Sequence, residues 1–89
     1  PVTDPQWLNK LTTQLLMPHT NYKPYYYTTN NTNTMPDNAV DVIEVDGCSR
    51  GSGELTRYDK NQRKKFETLS WSSSGVYLID RVAREVCKL

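Results

Sequence analysis

Apolar residues recur at spacings of three and four near the start of the chain, which predicts an amphipathic helix within residues 1–18. Asp4 is expected to cap this helix, with Pro5 at its first helical position, and Pro18 is expected to end it after Met17. We expect the stripe to dock on a sheet. A helix that binds a partner or a membrane surface is the alternative, although a single base argues against the membrane. The stripe contains Trp7, Leu8, Leu11, Leu15 and Leu16.

A second stripe predicts a C-terminal helix within residues 75–89. Ser73 or Ser74 is expected to supply its N-cap. We place Cys87 on the border of the buried side of this helix, where its sulfur can reach Cys48. The inward positions are Ile79, Val82, Ala83 and Val86.

Between the helices, residues 39–71 have the β-branched content and turn residues of an antiparallel meander. Its strands are predicted at 39–46, 54–58 and 65–71. In the first strand, apolar residues occupy both alternation phases. Either both of its faces are covered, or a bulge near Val42 shifts the phase.

Residues 19–38 form a Tyr/Asn-rich segment with both strand and loop propensity. Its run Tyr25, Tyr26 and Tyr27 has the rigid amphipathic rings that are common in binding loops. The alternative is an edge strand whose tyrosines half-cover the core.

The chain has 89 residues, of which 36% are apolar, so it is expected to form one small domain with a modest core. A disulfide between Cys48 and Cys87 would stabilise it by about 4 kcal/mol; two reduced, buried thiols are the alternative. Cystine favours an oxidising compartment. Because the chain starts at Pro1, without Met, we interpret it as a mature product or a trimmed piece. No signal peptide or transmembrane run is seen in the sequence, and the cystine predicts that the mature form is secreted or periplasmic. Asn30 begins a glycosylation sequon.

The net charge of +1 gives no general case for binding nucleic acid or membranes, but the charges are segregated along the chain. Residues 37–46 are acidic and residues 50–65 are mainly basic, so neighbouring strands of opposite charge can pair. The basic run at residues 60–65 includes Arg63, Lys64 and Lys65. It could bind a polyanion, or it could simply keep a hairpin tip in solution.

No motif for nucleophilic catalysis, phosphate binding or a metal site is present, and no cofactor is predicted. An RNase-like toxin or effector is the enzymatic alternative. It would use Glu54, Arg57 and Glu67 on the sheet, with His19 from the loop. The spacing of three between Glu54 and Arg57 places them on opposite faces of a regular strand, which argues against this site.

From Val42 onward, the chain resembles the bacterial surface-adhesin protein E family. The matching features are Ile43-Glu-Val-Asp46 ending in Cys48, a hairpin through Tyr58-Asp-Lys-Asn61, Leu69-Ser-Trp71 and Val82-Ala-Arg-Glu-Val-Cys87. The resemblance implies an exported, disulfide-tethered sheet and helix, and a family that binds host-matrix proteins. Gly47 before Cys48 and the whole of residues 1–38 depart from the family pattern.

These observations predict an α+β fold: an N-terminal helix, an antiparallel sheet of three or four strands, and a C-terminal helix bonded to the sheet. The function expected from them is non-enzymatic binding of a protein, or of an acidic glycan if the basic run leads. The expected contact residues are Tyr25, Tyr26, Tyr27, Arg63, Lys64 and Lys65. An inhibitor or immunity-type protein is a further alternative.

Overall fold

A computed structural model of the protein describes residues 5–29, 35–58 and 65–89. It confirms the α+β architecture, with a helix at each end of the chain and four strands between them. The elements are α1 (Trp7–Leu16), β1 (Pro24–Thr28), β2 (Asp41–Val45), β3 (Ser52–Tyr58), β4 (Lys65–Ser72) and α2 (Leu78–Cys87).

The four strands form one sheet in the order β1-β2-β3-β4. Strands β2, β3 and β4 are antiparallel neighbours, as the meander predicts. Strand β1 differs from the antiparallel expectation, because it pairs with β2 in parallel and makes the sheet mixed. Residues 29–40 join β1 to β2, and a connection of that length lets the chain return to the end of the sheet from which β1 started.

Both helices pack on the same face of this sheet, and the hydrophobic core lies between the two layers. The apolar stripes predicted for the two helices supply most of the helical side of the core. Burying these side chains is the main favourable contribution to folding in a chain of this size. The core residues are Leu8, Leu11, Ile43, Val45, Leu55, Trp71, Ile79, Val82, Ala83 and Val86.

Helix α1 ends where its proline requires, since its last residue is Leu16 and Met17 is the C-cap. Its start differs from the expectation. Pro5 precedes the helix, and its carbonyl accepts a hydrogen bond from the Leu8 N–H at 3.1 Å. The expected cap, Asp4, lies outside the described residues.

The prediction that Ser73 or Ser74 caps α2 is wrong, because the N-cap is Tyr77. The buried carboxylate of Asp80 accepts hydrogen bonds from the backbone N–H groups of Tyr77 and Ser72, at 3.0 and 2.8 Å. These bonds tie the first turn of α2 to the end of β4. Ser73 and Ser74 remain in the turn before the helix, one full turn too early to bond its free N–H groups.

Cys48 and Cys87 form the predicted disulfide, with their Cα atoms 5.6 Å apart. The bond joins the turn after β2 to the last residue of α2, so it holds the C-terminal helix on the sheet. It indicates an oxidising environment outside the cytoplasm. Neither helix within the described ranges has the length and apolar character needed to cross a bilayer.

Candidate functional site

The two faces of the sheet differ sharply, because one supports both helices and the other carries tyrosines and polar groups. Side chains alternate along each strand, and residues paired in register share a face. We call the side away from the helices the open face. Its two central rows are Tyr25–Val42–Tyr58 and Tyr27–Glu44–Thr56–Thr68.

Three half-buried tyrosine rings dominate the open face. The rings of Tyr25 and Tyr27 stack with their centroids 5.6 Å apart. Tyr58 stands two strands away, in register with Val42. Val42 is 8% exposed although no helix covers it, because it lies between Tyr25 and Tyr58. The rings therefore shield the middle of the face and still present their own edges to solvent.

Glu44 lies at the centre of these rings and accepts hydrogen bonds from two of them. The Tyr58 hydroxyl donates to Glu44 Oε1 at 3.2 Å, and the Tyr27 hydroxyl bonds to the same carboxylate. Burial, followed by the charge of Glu44, raises the pKa of Tyr27 to about 12. The same two causes raise the pKa of Tyr58. Both phenols are therefore neutral donors at physiological pH, and Glu44 is held in a fixed position.

The middle tyrosine of the run points to the other side of the sheet. Tyr26 pairs in register with Ile43 of the core and donates a hydrogen bond to the Leu11 carbonyl of α1 at 2.9 Å. Burial raises its pKa. Tyr26 therefore fits the edge-strand alternative, in which a ring covers the core, whereas Tyr25 and Tyr27 belong to the open face.

A cluster of charged and aromatic residues surrounds Arg57 on the helix side of the sheet; we call it the Arg57 cluster. Arg57 Nε donates to Asp41 Oδ1 at 2.6 Å, as expected for adjacent strands of opposite charge. Its guanidinium lies 5.2 Å from the ring centroid of Trp7 and 5.1 Å from that of Phe66. Trp7 Nε1 in turn donates to Glu67 Oε2 at 2.6 Å. The cluster fastens the start of α1 to the sheet.

A register shift between β3 and β4 explains how two successive residues of β4 reach Arg57. Glu67 pairs with Arg57 and Lys65 pairs with Tyr58, so Phe66 is the extra residue of a bulge. A bulge sets two residues opposite one, which turns Phe66 to the same side as Glu67. The sequence showed no glycine or other bulge signal at this point.

The residues of the RNase-like alternative are divided between the two faces. Arg57 and Glu67 are paired in register on the helix side, whereas Glu54 shares the phase of Thr56 on the open face. This is the separation that their spacing predicts. His19 is an exposed residue beyond the end of α1. Arg57 is already bonded to Asp41 and enclosed by two rings, which leaves little of its guanidinium for a substrate phosphate.

The predicted basic contact residues are only partly described. Lys65 is exposed at the start of β4, in register with Tyr58. Arg63, Lys64 and the glycosylation sequon at Asn30 lie outside the described residues. Within the described part of the chain, no three His, Cys, Asp or Glu side chains come close enough to hold a metal ion.

Sequence reasoning missed Glu44 and Tyr58 as members of the surface. The alternation of side chains along each strand was the signal that could have found them. Glu44 lies two positions after Val42, and Tyr58 lies two positions after Thr56, so the members of each pair share a face. Only the register of the strands shows that these faces coincide with that of Tyr25 and Tyr27. Comparison of the chain with protein-family models, with curated proteins and with solved structures finds no match.

Proposed function

We propose that this chain is an exported, non-enzymatic binding domain that recognises a protein partner through the open face. The observation that carries the proposal is the row of tyrosines there. Tyr25, Tyr27 and Tyr58 stand half-exposed on a regular sheet, while the hydrophobic core and both helices occupy the other side.

Tyrosine suits such a surface for physical reasons. Its ring buries a large apolar area with few rotatable bonds, and its hydroxyl bonds to polar groups at the rim of a contact. Here Glu44 and the sheet backbone hold Tyr27 and Tyr58 in place before any partner arrives. Ordering such side chains in advance lowers the entropic cost of binding.

Export to a secreted or periplasmic location is part of the same proposal. The Cys48–Cys87 bond supports it, since such bonds persist outside the reducing cytosol. The resemblance of the C-terminal half to the protein E family implies an exported, disulfide-tethered sheet and helix, and so supports the same location. The alternative to a protein partner is an acidic glycan, bound by the basic run at residues 60–65. In that case, contact would centre on Lys65 and its neighbours at the β3–β4 hairpin.

Affinity capture from the protein's native surroundings tests the proposal. We expect the double variant Tyr25→Ser/Tyr27→Ser to lose most of the captured partner under conditions in which circular dichroism shows that it is still folded. Val76→Ser is the matched control, because Val76 is 90% exposed and lies in the turn before α2. Equal capture by the double variant and the control would show that the open face is not the contact surface.

A further inference from the structure

The open face also indicates which partner chemistry it would bind, an inference that rests on the proposed function. We infer that the partner presents a lysine or arginine side chain to Glu44, and that the rings of Tyr27 and Tyr58 flank the bound cation. The occupant is therefore a basic segment of a protein.

The first argument is the charge of Glu44. Its half-buried carboxylate receives two neutral phenol hydroxyls, which orient it without cancelling its charge. In the described ranges, the ion pairs between side chains join Arg50 to Asp46, Arg57 to Asp41 and Lys88 to Glu85, and none includes Glu44. A carboxylate accepts about four hydrogen bonds, so Glu44 keeps sites for a further donor.

The second argument is the charge pattern around Glu44. Glu54 shares the open face and is exposed, which adds a second negative charge to it. Lys65 stands at the β4 edge, in register with Tyr58. A cation on the partner, and not an anion, therefore complements the centre of the open face. Charge complementarity of this kind selects partners and speeds their encounter.

The third argument comes from the other side of the same sheet, where the chain already binds one of its own cations in this manner. The Arg57 guanidinium meets the Asp41 carboxylate and lies against the rings of Trp7 and Phe66. The open face likewise places a carboxylate, that of Glu44, beside the aromatic rings of Tyr27 and Tyr58, and among the described residues no cation is paired with it. Aromatic rings beside a carboxylate attract a cation through both charge and ring quadrupole.

Titration with short peptides, followed by amide resonances in two-dimensional NMR, tests the inference on the unmodified chain. The probes are three hexapeptides, each acetylated at its N-terminus and amidated at its C-terminus. Thr alternates with Lys in the first, with Gln in the second and with Glu in the third. We expect the Lys peptide to shift the resonances of Tyr27, Glu44 and Tyr58. The Gln peptide should bind at least about tenfold more weakly, because it lacks the charge-assisted bond. The Glu peptide should not bind.

A pair of variants then assigns the effect to one carboxylate. Glu44→Gln keeps the shape of the side chain and should weaken the Lys peptide about tenfold, whereas Glu85→Gln, which removes a carboxylate from α2 on the other side of the sheet, should change its Kd less than twofold. Equal binding of the Lys and Gln peptides would overturn the inference. An unchanged Kd in a folded Glu44→Gln protein would do the same. The peptide comparison decides the matter even if the variant does not fold.

Capture of the native partner separates this inference from the proposed function. If Glu44→Gln retains the partner and Tyr25→Ser/Tyr27→Ser loses it, the open face is the binding surface but the cation is not its target. If both variants retain the partner, the proposed function fails as well. Loss of the partner in both, together with the peptide preference, supports both statements.

Discussion

Asp41 and Arg57 form an ion pair across β2 and β3, with Asp41 Oδ1 2.6 Å from Arg57 Nε. Asp41 is 4% exposed, so little solvent reaches its carboxylate. We expect Arg57→Met to lower the free energy of unfolding by about 3 kcal/mol, because it leaves a buried carboxylate without a cation. Urea denaturation at neutral pH measures the loss.

The control for this prediction is an exposed pair of the same charges. Arg50 lies 3.0 Å from Asp46, but its side chain is 62% exposed. Arg50→Met should cost less than about 1 kcal/mol. If Arg57→Met lowered the free energy of unfolding as little as Arg50→Met, water would be solvating the Asp41 carboxylate. The burial of Asp41 would then not make its ion pair with Arg57 important for stability.

The disulfide should supply a large share of the stability. Closing a loop between positions 48 and 87 restricts the unfolded chain and is worth about 4 kcal/mol. We expect a strong reductant to lower the urea midpoint of the unmodified chain and to leave that of Cys48→Ser/Cys87→Ser unchanged. Intact mass after alkylation reports the redox state. Two alkylated thiols in native, unreduced material would contradict the oxidising location.

Neighbouring tyrosines should respond differently to substitution. Tyr26→Phe removes the hydroxyl that donates to the Leu11 carbonyl, so it should cost about 1 kcal/mol in urea denaturation. Tyr25→Phe removes a hydroxyl from the open face, where water can replace its contacts, so its cost should be smaller than that of Tyr26→Phe. The comparison keeps both rings and changes one oxygen in each. The reverse order of effects would mean that Tyr25, and not Tyr26, anchors the strand to the rest of the molecule.

The raised phenol pKa values predict a loss of stability in alkali. Folded Tyr27 keeps its proton up to about pH 12, whereas in the unfolded chain it ionises near the ordinary value of 10.0. Between these values the folded state binds more protons, so the free energy of unfolding falls as pH rises. Below about pH 10 this contribution is complete. Tyr58 acts in the same direction.

Absorbance of tyrosinate near 295 nm follows this ionisation directly. Tyr27→Phe should remove a late-titrating group from the folded protein, and full unfolding should bring the remaining tyrosines to about pH 10. In Glu44→Gln the titration of Tyr27 should begin at lower pH, since one of the two main causes of its shift is gone. An unchanged curve in Glu44→Gln would show that burial alone sets the value.

The start of α2 should depend on one carboxylate. Asp80→Ala removes acceptors for the backbone N–H groups of Ser72 and Tyr77, and we expect a loss of about 1–2 kcal/mol. Ser73→Ala and Ser74→Ala are the controls, and each should change little. Gly75→Ala should also destabilise, because a Cβ at this position would collide with the Asp80 carboxylate. Thermal unfolding followed by circular dichroism measures all four.

The sequence predicted most elements of this fold, because their signals are local. Proline ends α1 at the expected place, the stripe from Ile79 to Val86 marks the buried side of α2, and alternation with turn residues marks β2 to β4. The disulfide followed from the placement of two cysteines beside elements that a sheet and helix would bring together. Burial on both faces of β2 was one of two alternatives, and Asp41, Val42 and Ile43 show it.

The features that sequence reasoning missed depend on pairing between distant segments. Strand β1 pairs in parallel with β2 across a connection of residues 29–40, and five strand residues carry no signal for a parallel or antiparallel neighbour. The division of the tyrosine run followed from alternation once β1 was known to be a strand. The grouping of Glu44 with Tyr27 and Tyr58 required the register of three strands, which no single segment specifies.

The Cys48–Cys87 bond also determines how tension would travel through the molecule. If residues 1 and 89 were pulled apart, the covalent path of the force would follow residues 1–48, cross the disulfide and leave through residues 87–89. Residues 49–86, with β3 and β4, lie outside this covalent path. Strands β1 and β2 lie on this path, whereas β3, the other neighbour of β2, lies in the bypassed loop. A tether attached at the N-terminal end would therefore load Tyr25 and Tyr27 through the covalent chain, but not Tyr58.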